Sequence, residues 1–226
     1  MDLVSWYAVF LFSVTFHEAA HAYFLYKLGD KTAYLYGQVT LNPIPHIKRE
    51  PLGMVVVPLL SYVLYGWMFG WASAPYDMLW ALRNPKKSAL SSAAGPFANF
   101  LLFFVSALLL KIGLFFKIFT VPGAISVSRI VAPSNPGIFY PVSVLLSIMF
   151  TLNIVLFVFN MIPLPPLDGF GIISAFLNEE TYRKYYTLFT SNPWFSLLGL
   201  FIAWNVFGVV FYPFFKMMLI FVYFGF

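Results

Sequence analysis

The 226-residue chain contains no cysteine, and only 9% of its residues are charged. Without cysteine it has no disulfides and no thiolate metal sites, so a bound metal must use His, Asp, Glu or carbonyl ligands. A soluble domain carries about 25% charged residues, whereas this chain is 61% hydrophobic. Its basic residues are scattered between apolar runs, as in loops at a membrane surface, and do not suggest a nucleic-acid partner. The composition predicts an integral protein of the lipid bilayer.

Long apolar runs predict a bundle of membrane-spanning helices, each of about 20 residues. The runs are Leu3–Leu28, Leu52–Trp71, Ala89–Phe116, Pro141–Ile162 and Trp194–Phe226. Pro58, Gly66 and Gly70 interrupt the second run, which makes it a candidate re-entrant segment. We expect an all-α polytopic membrane protein with about five transmembrane helices, in a range of four to six, forming a single domain over residues 1–226. With five spans, the distribution of Lys and Arg places the N-terminus outside.

The polar stretch after the first span predicts a small β element. Residues Thr32 to Leu41 alternate between polar and apolar types, which is typical of a short strand or hairpin. The free edge of such a strand could pair with a second, extended chain by strand addition. Replacing Val39 with Pro would then impair that pairing. Further along, the charged stretch Leu177–Asn192 predicts a short surface helix.

The run His17-Glu18-Ala19-Ala20-His21 lies inside the first apolar segment. On a helix, two histidines four residues apart share one face, so both imidazoles can reach a single metal ion. Glu18 lies between them, where it can act on a water molecule at that ion. The alternative is that the histidines only form hydrogen bonds within the bundle, but ionisable groups at membrane depth are costly without a partner. The motif therefore predicts a metal centre.

A catalytic metal needs a third protein ligand. Most of the acidic residues lie at apparent span ends or in loops: Asp2, Asp30, Glu50, Asp77, Glu179 and Glu180. Asp168 differs, because it follows the proline-rich stretch 163–166, which must break the helix at the end of an apolar run. Broken backbone at membrane depth occurs where it lines an enclosed or wet cavity. Asp168 is thus the best-placed candidate, and a His₂Asp set suits iron or cobalt as well as zinc.

Five motifs in this order resemble one known family. They are HEAAH at 17–21, Leu41-Asn42-Pro43 followed by His46, GWASAP at 70–75, AGPFAN at 94–99 and NMIPLPPLDG at 160–169. Together they resemble the site-2 protease family of intramembrane zinc metalloproteases (peptidase family M50), in its compact prokaryotic form without a PDZ domain. The resemblance covers about Thr15 to Gly171.

The resemblance implies that His17, His21 and Asp168 bind one zinc ion per chain and that Glu18 activates the zinc-bound water. It implies that Asn160 positions the substrate or stabilises the oxyanion. The expected enzyme is a membrane metalloendopeptidase of the prokaryotic cell membrane. It would hydrolyse peptide bonds of transmembrane proteins or peptides, in regulated intramembrane proteolysis or in clearance of remnant peptides. The oligomeric state is left open.

Two other functions are considered alongside this one. A metal transporter would pass zinc through the same three ligands, but it would also show midplane carboxylates or an inverted repeat, and neither is found in the sequence. A catalytically silent scaffold would have lost Glu18 or a ligand. His46 is interpreted as a loop histidine near Glu50 or as an accessory residue at the mouth of the site. Asn99 is interpreted as an interhelical hydrogen-bond donor or as a functional residue, and Asn153 as a packing residue.

Overall fold

The computed structural model describes residues 2–135 and 137–226, most of which are helical. The helices are α1 Asp2–Leu28, α2 Thr32–Leu35, α3 Pro43–Arg49, α4 Val57–Tyr65, α5 Met78–Arg83, α6 Pro85–Phe115, α7 Phe139–Asn160, α8 Asp168–Ile172, α9 Glu179–Thr190 and α10 Pro193–Tyr223. A π-helical turn at Leu52–Val56 leads into α4, and a 3₁₀ turn at Ile173–Phe176 follows α8. In the described residues, one antiparallel sheet pairs β1 Phe119–Thr120 with β2 Ala132–Pro133.

Within residues 2–135 and 137–226, four helices are long and apolar enough to cross a membrane: α1, α6, α7 and α10. The predicted run Leu52–Trp71 does not form a full span, because its helical part ends at Gly66 with a φ of +75°. The Trp71 N–H donates to the Gly53 carbonyl at 3.1 Å, which joins the two ends of this run. The two ends of the run therefore lie beside each other, as expected for a re-entrant segment. The all-α polytopic fold is confirmed with four spans, the lower end of the predicted range.

Helix α6 occupies the centre of the bundle, where it packs against α1, α7 and α8. An aromatic and aliphatic core fills the space between α6, α7 and α10, with Phe103 and Phe150 fully buried. A second core joins the first half of α1 to the re-entrant segment and α7, around Phe10 and Met68. Because α1 and α7 both pack on α6, the last residues of α7 and the turn after it lie near the second half of α1.

The strand predicted over Thr32–Leu41 is wrong. The segment begins with α2 and continues in turns and bends, and the short sheet lies instead between α6 and α7. Two main-chain N–H groups, of Thr32 and Asp77, donate to the Asp30 carboxylate at 2.8 Å, which favours a helical turn directly after α1. Gly37, with a φ of +68°, then reverses the chain. Ala33 and Gln38 are the buried positions in this stretch, a spacing that an alternating strand does not produce.

The predicted surface helix is present as α9. Asn178 caps it by accepting a hydrogen bond from the Thr181 N–H at 2.8 Å. Its inward face places Tyr182 and Tyr186 against Phe170 of α8. Helix α9 therefore covers the side of the bundle on which the turn after α7 lies.

Candidate metal centre

His17 and His21, one turn apart on α1, meet the Asp168 carboxylate at the start of α8. His17 Nε2 lies 3.0 Å from Asp168 Oδ2, and His21 Nε2 lies 3.2 Å from Asp168 Oδ1. The two Nε2 atoms are 3.0 Å apart. Both imidazoles are buried, and the Asp168 side chain is 20% exposed. Residues 147 positions apart in the sequence thus converge on one point inside the bundle.

The other ring nitrogen of each histidine is held by α6. His21 Nδ1 lies 2.7 Å from the Ser91 carbonyl oxygen, which only accepts, so Nδ1 carries the proton. His17 Nδ1 contacts the Asn99 side-chain oxygen in the same way. In the neutral imidazoles, both Nε2 lone pairs consequently point toward Asp168, and this is the tautomer that a metal ligand requires.

A chain of buried amides extends this contact across three helices. Asn99 Nδ2 donates to Asn153 Oδ1 at 2.8 Å, and Asn153 Nδ2 donates to Ser13 Oγ at 2.9 Å. This confirms Asn99 as an interhelical donor and Asn153 as a residue that holds helices together. The chain fixes the orientation of the Asn99 oxygen and, through it, the His17 ring. Nothing in the sequence predicted that Ser13 would accept from Asn153 or that the Ser91 carbonyl would contact His21.

Three glycines allow the elements of the site to approach closely. A Cβ atom at Gly95 of α6 would lie 2.3 Å from His21 Nε2 and 2.5 Å from His17 Nε2. A Cβ at Gly169 would lie 2.4 Å from the Ile162 carbonyl oxygen, and one at Gly171 would lie 2.2 Å from Ser92 Oγ. The AGP motif thus leaves room for the imidazoles, and the DG motif lets α8 fold back on the turn that precedes it.

The donor set fits a zinc ion. Zinc binds imidazole nitrogen and carboxylate oxygen at about 2.0–2.2 Å, so a tetrahedral site separates its ligand atoms by about 3.3–3.6 Å. The two Nε2 atoms lie 3.0 Å apart, and they lie 3.0 and 3.2 Å from different oxygens of Asp168, so the three side chains are close to this spacing. Asp168 Oδ2 is buried and has no hydrogen-bond donor in the described residues, because the atom 3.0 Å from it is the unprotonated Nε2 of His17. Three converging lone pairs of this kind are unfavourable unless a cation lies among them.

A cavity of about 320 Å³ opens beside the three residues. Glu18, which is buried, lines it together with His21 and Asp168. On the far wall, burial and the hydrogen bond with Tyr76 raise the pKa of Tyr186, so this phenol stays protonated.

The remaining predicted residues lie away from this point. Asn160 is the half-buried last residue of α7 and does not line the cavity. His46 is buried in α3, where Nε2 contacts the Thr40 carbonyl oxygen at 3.0 Å, so it serves the local loop. The acidic residues with described side chains make local contacts: Asp30 and Asp77 with main-chain N–H groups, Glu50 with Ser73, and Glu180 with Lys184. The side chains of Asp2 and Glu179 lie outside the described set.

The fold and the site together define a polytopic membrane protein in which two histidines and an aspartate converge as a candidate metal centre. Comparison with known proteins agrees: the model of Peptidase family M50 matches residues 6–202. The chain belongs to this family, whose members are zinc-dependent membrane proteases, and the family resemblance read from the motifs is confirmed.

Three curated relatives carry related names. "Putative zinc metalloprotease YwhC" of Bacillus subtilis is 36% identical over 162 residues, which is 71% of this chain and 64% of that protein. "Putative zinc metalloprotease Rip2" of Mycolicibacterium smegmatis is 28% identical over 176 residues, 78% of this chain and 58% of that protein. The protein of that name from Mycobacterium tuberculosis H37Rv is 26% identical over 180 residues, with the same coverage. The chain thus spans less than two thirds of these relatives' length. No solved structure matches it.

Proposed function

We propose that this protein is an intramembrane zinc metalloprotease that hydrolyses peptide bonds of membrane-embedded proteins or peptides. The observation that carries the proposal is the convergence of His17, His21 and Asp168 beside the buried carboxylate of Glu18, on a cavity within the helical bundle. The biological process would be regulated intramembrane proteolysis or removal of remnant peptides, and the location the cell membrane of a prokaryote. The unit that acts would be the single domain of residues 1–226.

In this proposal His17 Nε2, His21 Nε2 and one Asp168 oxygen hold the zinc ion. When bound, zinc supplies a Lewis acid that polarises a carbonyl oxygen and acidifies water. Asn99 and the Ser91 carbonyl orient the two imidazoles. The Glu18 carboxylate takes a proton from the attacking water and delivers it to the nitrogen of the leaving amine. Helix α9 and its tyrosines limit the access of bulk water from one side.

Replacing Glu18 with Gln tests the proposal. The amide keeps the size of the side chain but cannot accept the proton, so proteolysis should fall by about 10²-fold or more, while the purified variant still binds one zinc ion. The measurement pairs metal analysis with cleavage of a single-span substrate in detergent or liposomes. The matched control is Glu180→Gln, because the exposed Glu180 of α9 pairs with Lys184 and does not line the cavity.

The same variant separates the proposed enzyme from its alternatives. A zinc transporter would continue to move zinc into liposomes after Glu18→Gln, and a silent scaffold would show no wild-type cleavage to lose. Cleavage that persists in Glu18→Gln would contradict the assigned role of this carboxylate. Loss of zinc together with loss of activity would show that Glu18 maintains the site and does not act as its base.

Asn160 is proposed to position the substrate or to stabilise the oxyanion. Its side chain forms no hydrogen bond with another residue in the described ranges, and it ends the helix that leads to the Asp168 turn. If the amide contacts the substrate, Asn160→Ala should lower the rate of cleavage by about 10-fold or more while zinc content is unchanged. Wild-type kcat and KM in this variant would show that Asn160 neither positions the substrate nor stabilises the oxyanion.

A further inference from the structure

Helix α10 is the least buried of the four spans in the described residues. An apolar 18-residue stretch of α10 is only 11% buried inside the protein, whereas 44–56% of the corresponding stretches of α1, α6 and α7 is buried. The inward side of its first half places Ala203 against Ile162 and Leu167 of the turn after α7. Most of the surface of α10 therefore faces lipid or another protein.

One polar side chain lies on the outward side of this helix, near its middle. Asn205 is two residues beyond the buried Ala203, which is about 200° around the helix, so it points away from the bundle. It lies about 18 Å along the helix from Pro193 and about 27 Å from Tyr223. Because the hydrocarbon layer is about 30 Å thick, this exposed amide lies at membrane depth.

The Asn205 amide has hydrogen-bonding groups that the chain itself does not use. Its Nδ2 donates to the Phe201 carbonyl at 2.7 Å, while Oδ1 and the second N–H have no partner among the described residues. One turn further on, Val209 is 77% exposed, and its carbonyl lacks the usual helical donor because Pro213 has no N–H. Lipid tails cannot satisfy these groups, so a hydrogen bond from another helix would be favourable here.

A second copy of this chain is the partner that fits this face. Two copies insert into the bilayer with the same orientation, so a two-fold axis along the membrane normal brings Asn205 of each copy to the same depth. The amide is self-complementary, because Nδ2 of each copy can donate to Oδ1 of the other. A different transmembrane partner would need a polar group at this particular depth, and an apolar span does not carry one.

We propose that the protein forms a parallel homodimer through the outward side of α10, with the two Asn205 amides paired at its centre. The contact extends along one side of the helix from Phe201 to Tyr212, both of which are exposed in the single chain. Lys216 lies on the same side beyond Pro213, and two such charges would repel each other, so the two helices diverge after the proline. This inference does not depend on the proposed protease function.

Disulfide cross-linking between identical positions tests the pairing, since the chain has no cysteine of its own. Val209→Cys lies one turn from Asn205 on the paired side. Val210→Cys is the matched control, because Val210 is also exposed, at 51%, but lies about 140° around the helix from Asn205. In membranes treated with a lipid-soluble oxidant, Val209→Cys should form a covalent dimer and Val210→Cys should stay monomeric.

Two differently tagged copies, expressed together, identify the partner in this experiment. The two tags should occur in one cross-linked product of Val209→Cys. Equal cross-linking of Val209→Cys and Val210→Cys would overturn the proposal, because it would indicate random collision. A product that joins Val209→Cys only to another protein would also overturn it, because that face would then bind a different partner.

Removal of the amide tests the hydrogen bond without depending on disulfide geometry. Asn205→Leu keeps the approximate size of the side chain but loses its hydrogen-bonding groups, so the dimer should weaken about 10-fold. Asn205→Gln keeps an amide and should retain the dimer. The measurement is energy transfer between labelled full-length copies at increasing lipid dilution, and an unchanged helical circular dichroism spectrum is the control for folding. Monomeric wild-type protein at every dilution, or equal self-association of Asn205→Leu and wild-type protein, would overturn the proposal.

Discussion

At the scale of single residues, the site depends on what surrounds the two imidazoles as much as on the imidazoles themselves. The Ser91 carbonyl and the Asn99 amide hold the protons on Nδ1, and the amide chain to Asn153 and Ser13 fixes Asn99. Partners of this kind commonly change metal affinity by 10–100-fold when they are removed. The geometry of the centre is therefore a property of α6 and α7 as well as of α1.

Gly95→Ala should abolish the centre without unfolding the protein. The added methyl group would lie 2.3 Å from His21 Nε2 and 2.5 Å from His17 Nε2, in the space where the imidazoles converge. In a helix, Ala is favoured over Gly by about 0.5–1 kcal/mol, so any loss comes from the contact and not from the backbone. We expect zinc affinity to fall by about 100-fold or more, and proteolysis with it, measured by metal analysis and competition with a chelator.

Gly208→Ala is the control for this change. It also adds a methyl group to a membrane-spanning glycine, but the nearest atom is Tyr212 Cε2 at 3.2 Å, at the far end of a side chain that can move. This variant should keep both zinc and activity. If Gly95→Ala binds zinc as tightly as the wild-type protein does, the ligands do not converge beside Gly95.

The convergence of the four proposed active-site residues could be predicted because ionisable groups are so rare in this chain that each one stands out. His17, Glu18 and His21 follow a helical spacing, and Asp168 follows a proline-broken helix end. Main-chain partners such as the Ser91 carbonyl could not be predicted, since every residue has a carbonyl group and only the packing of α1 on α6 selects one.

At the scale of elements, the apolar runs predicted the spans well, while the segments between them depend on contacts distant in sequence. The Thr32–Leu41 pattern alternates, yet Asp30 bonds both to Thr32 and to Asp77 and so folds the chain into a helical turn. Residues 68–77 have no regular secondary structure, and contacts distant in sequence hold them: the Trp71 and Asp77 N–H groups donate to Gly53 and Asp30. The period of the polar and apolar pattern is a weak guide to secondary structure where tertiary contacts determine the backbone conformation.

At the scale of the whole molecule, four spans and a re-entrant segment separate the basic residues into two unequal sets. One face of the bundle has nine Lys and Arg: Lys27, Lys31, Lys48, Arg49, Arg83, Lys86, Lys87, Arg183 and Lys184. The opposite face has four: Lys111, Lys117, Arg129 and Lys216. The asymmetry is greater than the five-span arrangement implied, and it again places the N-terminus outside. Helix α9 and the loops around the metal centre then lie on the inner face.

This orientation predicts from which side the protein can be labelled. In intact cells, a membrane-impermeant maleimide should modify Gly123→Cys in the exposed loop between β1 and β2, and should modify Thr187→Cys on the exposed side of α9 only after the membrane is permeabilised. The chain has no cysteine of its own, so each signal comes from one position. Retained proteolysis by each variant provides the control for folding. The reverse labelling pattern would show that the N-terminus lies inside.

His21 lies seven residues before the end of α1 at Leu28, which is about 10 Å of helix. The predicted orientation therefore puts the proposed cleavage site nearer the inner surface than the outer one.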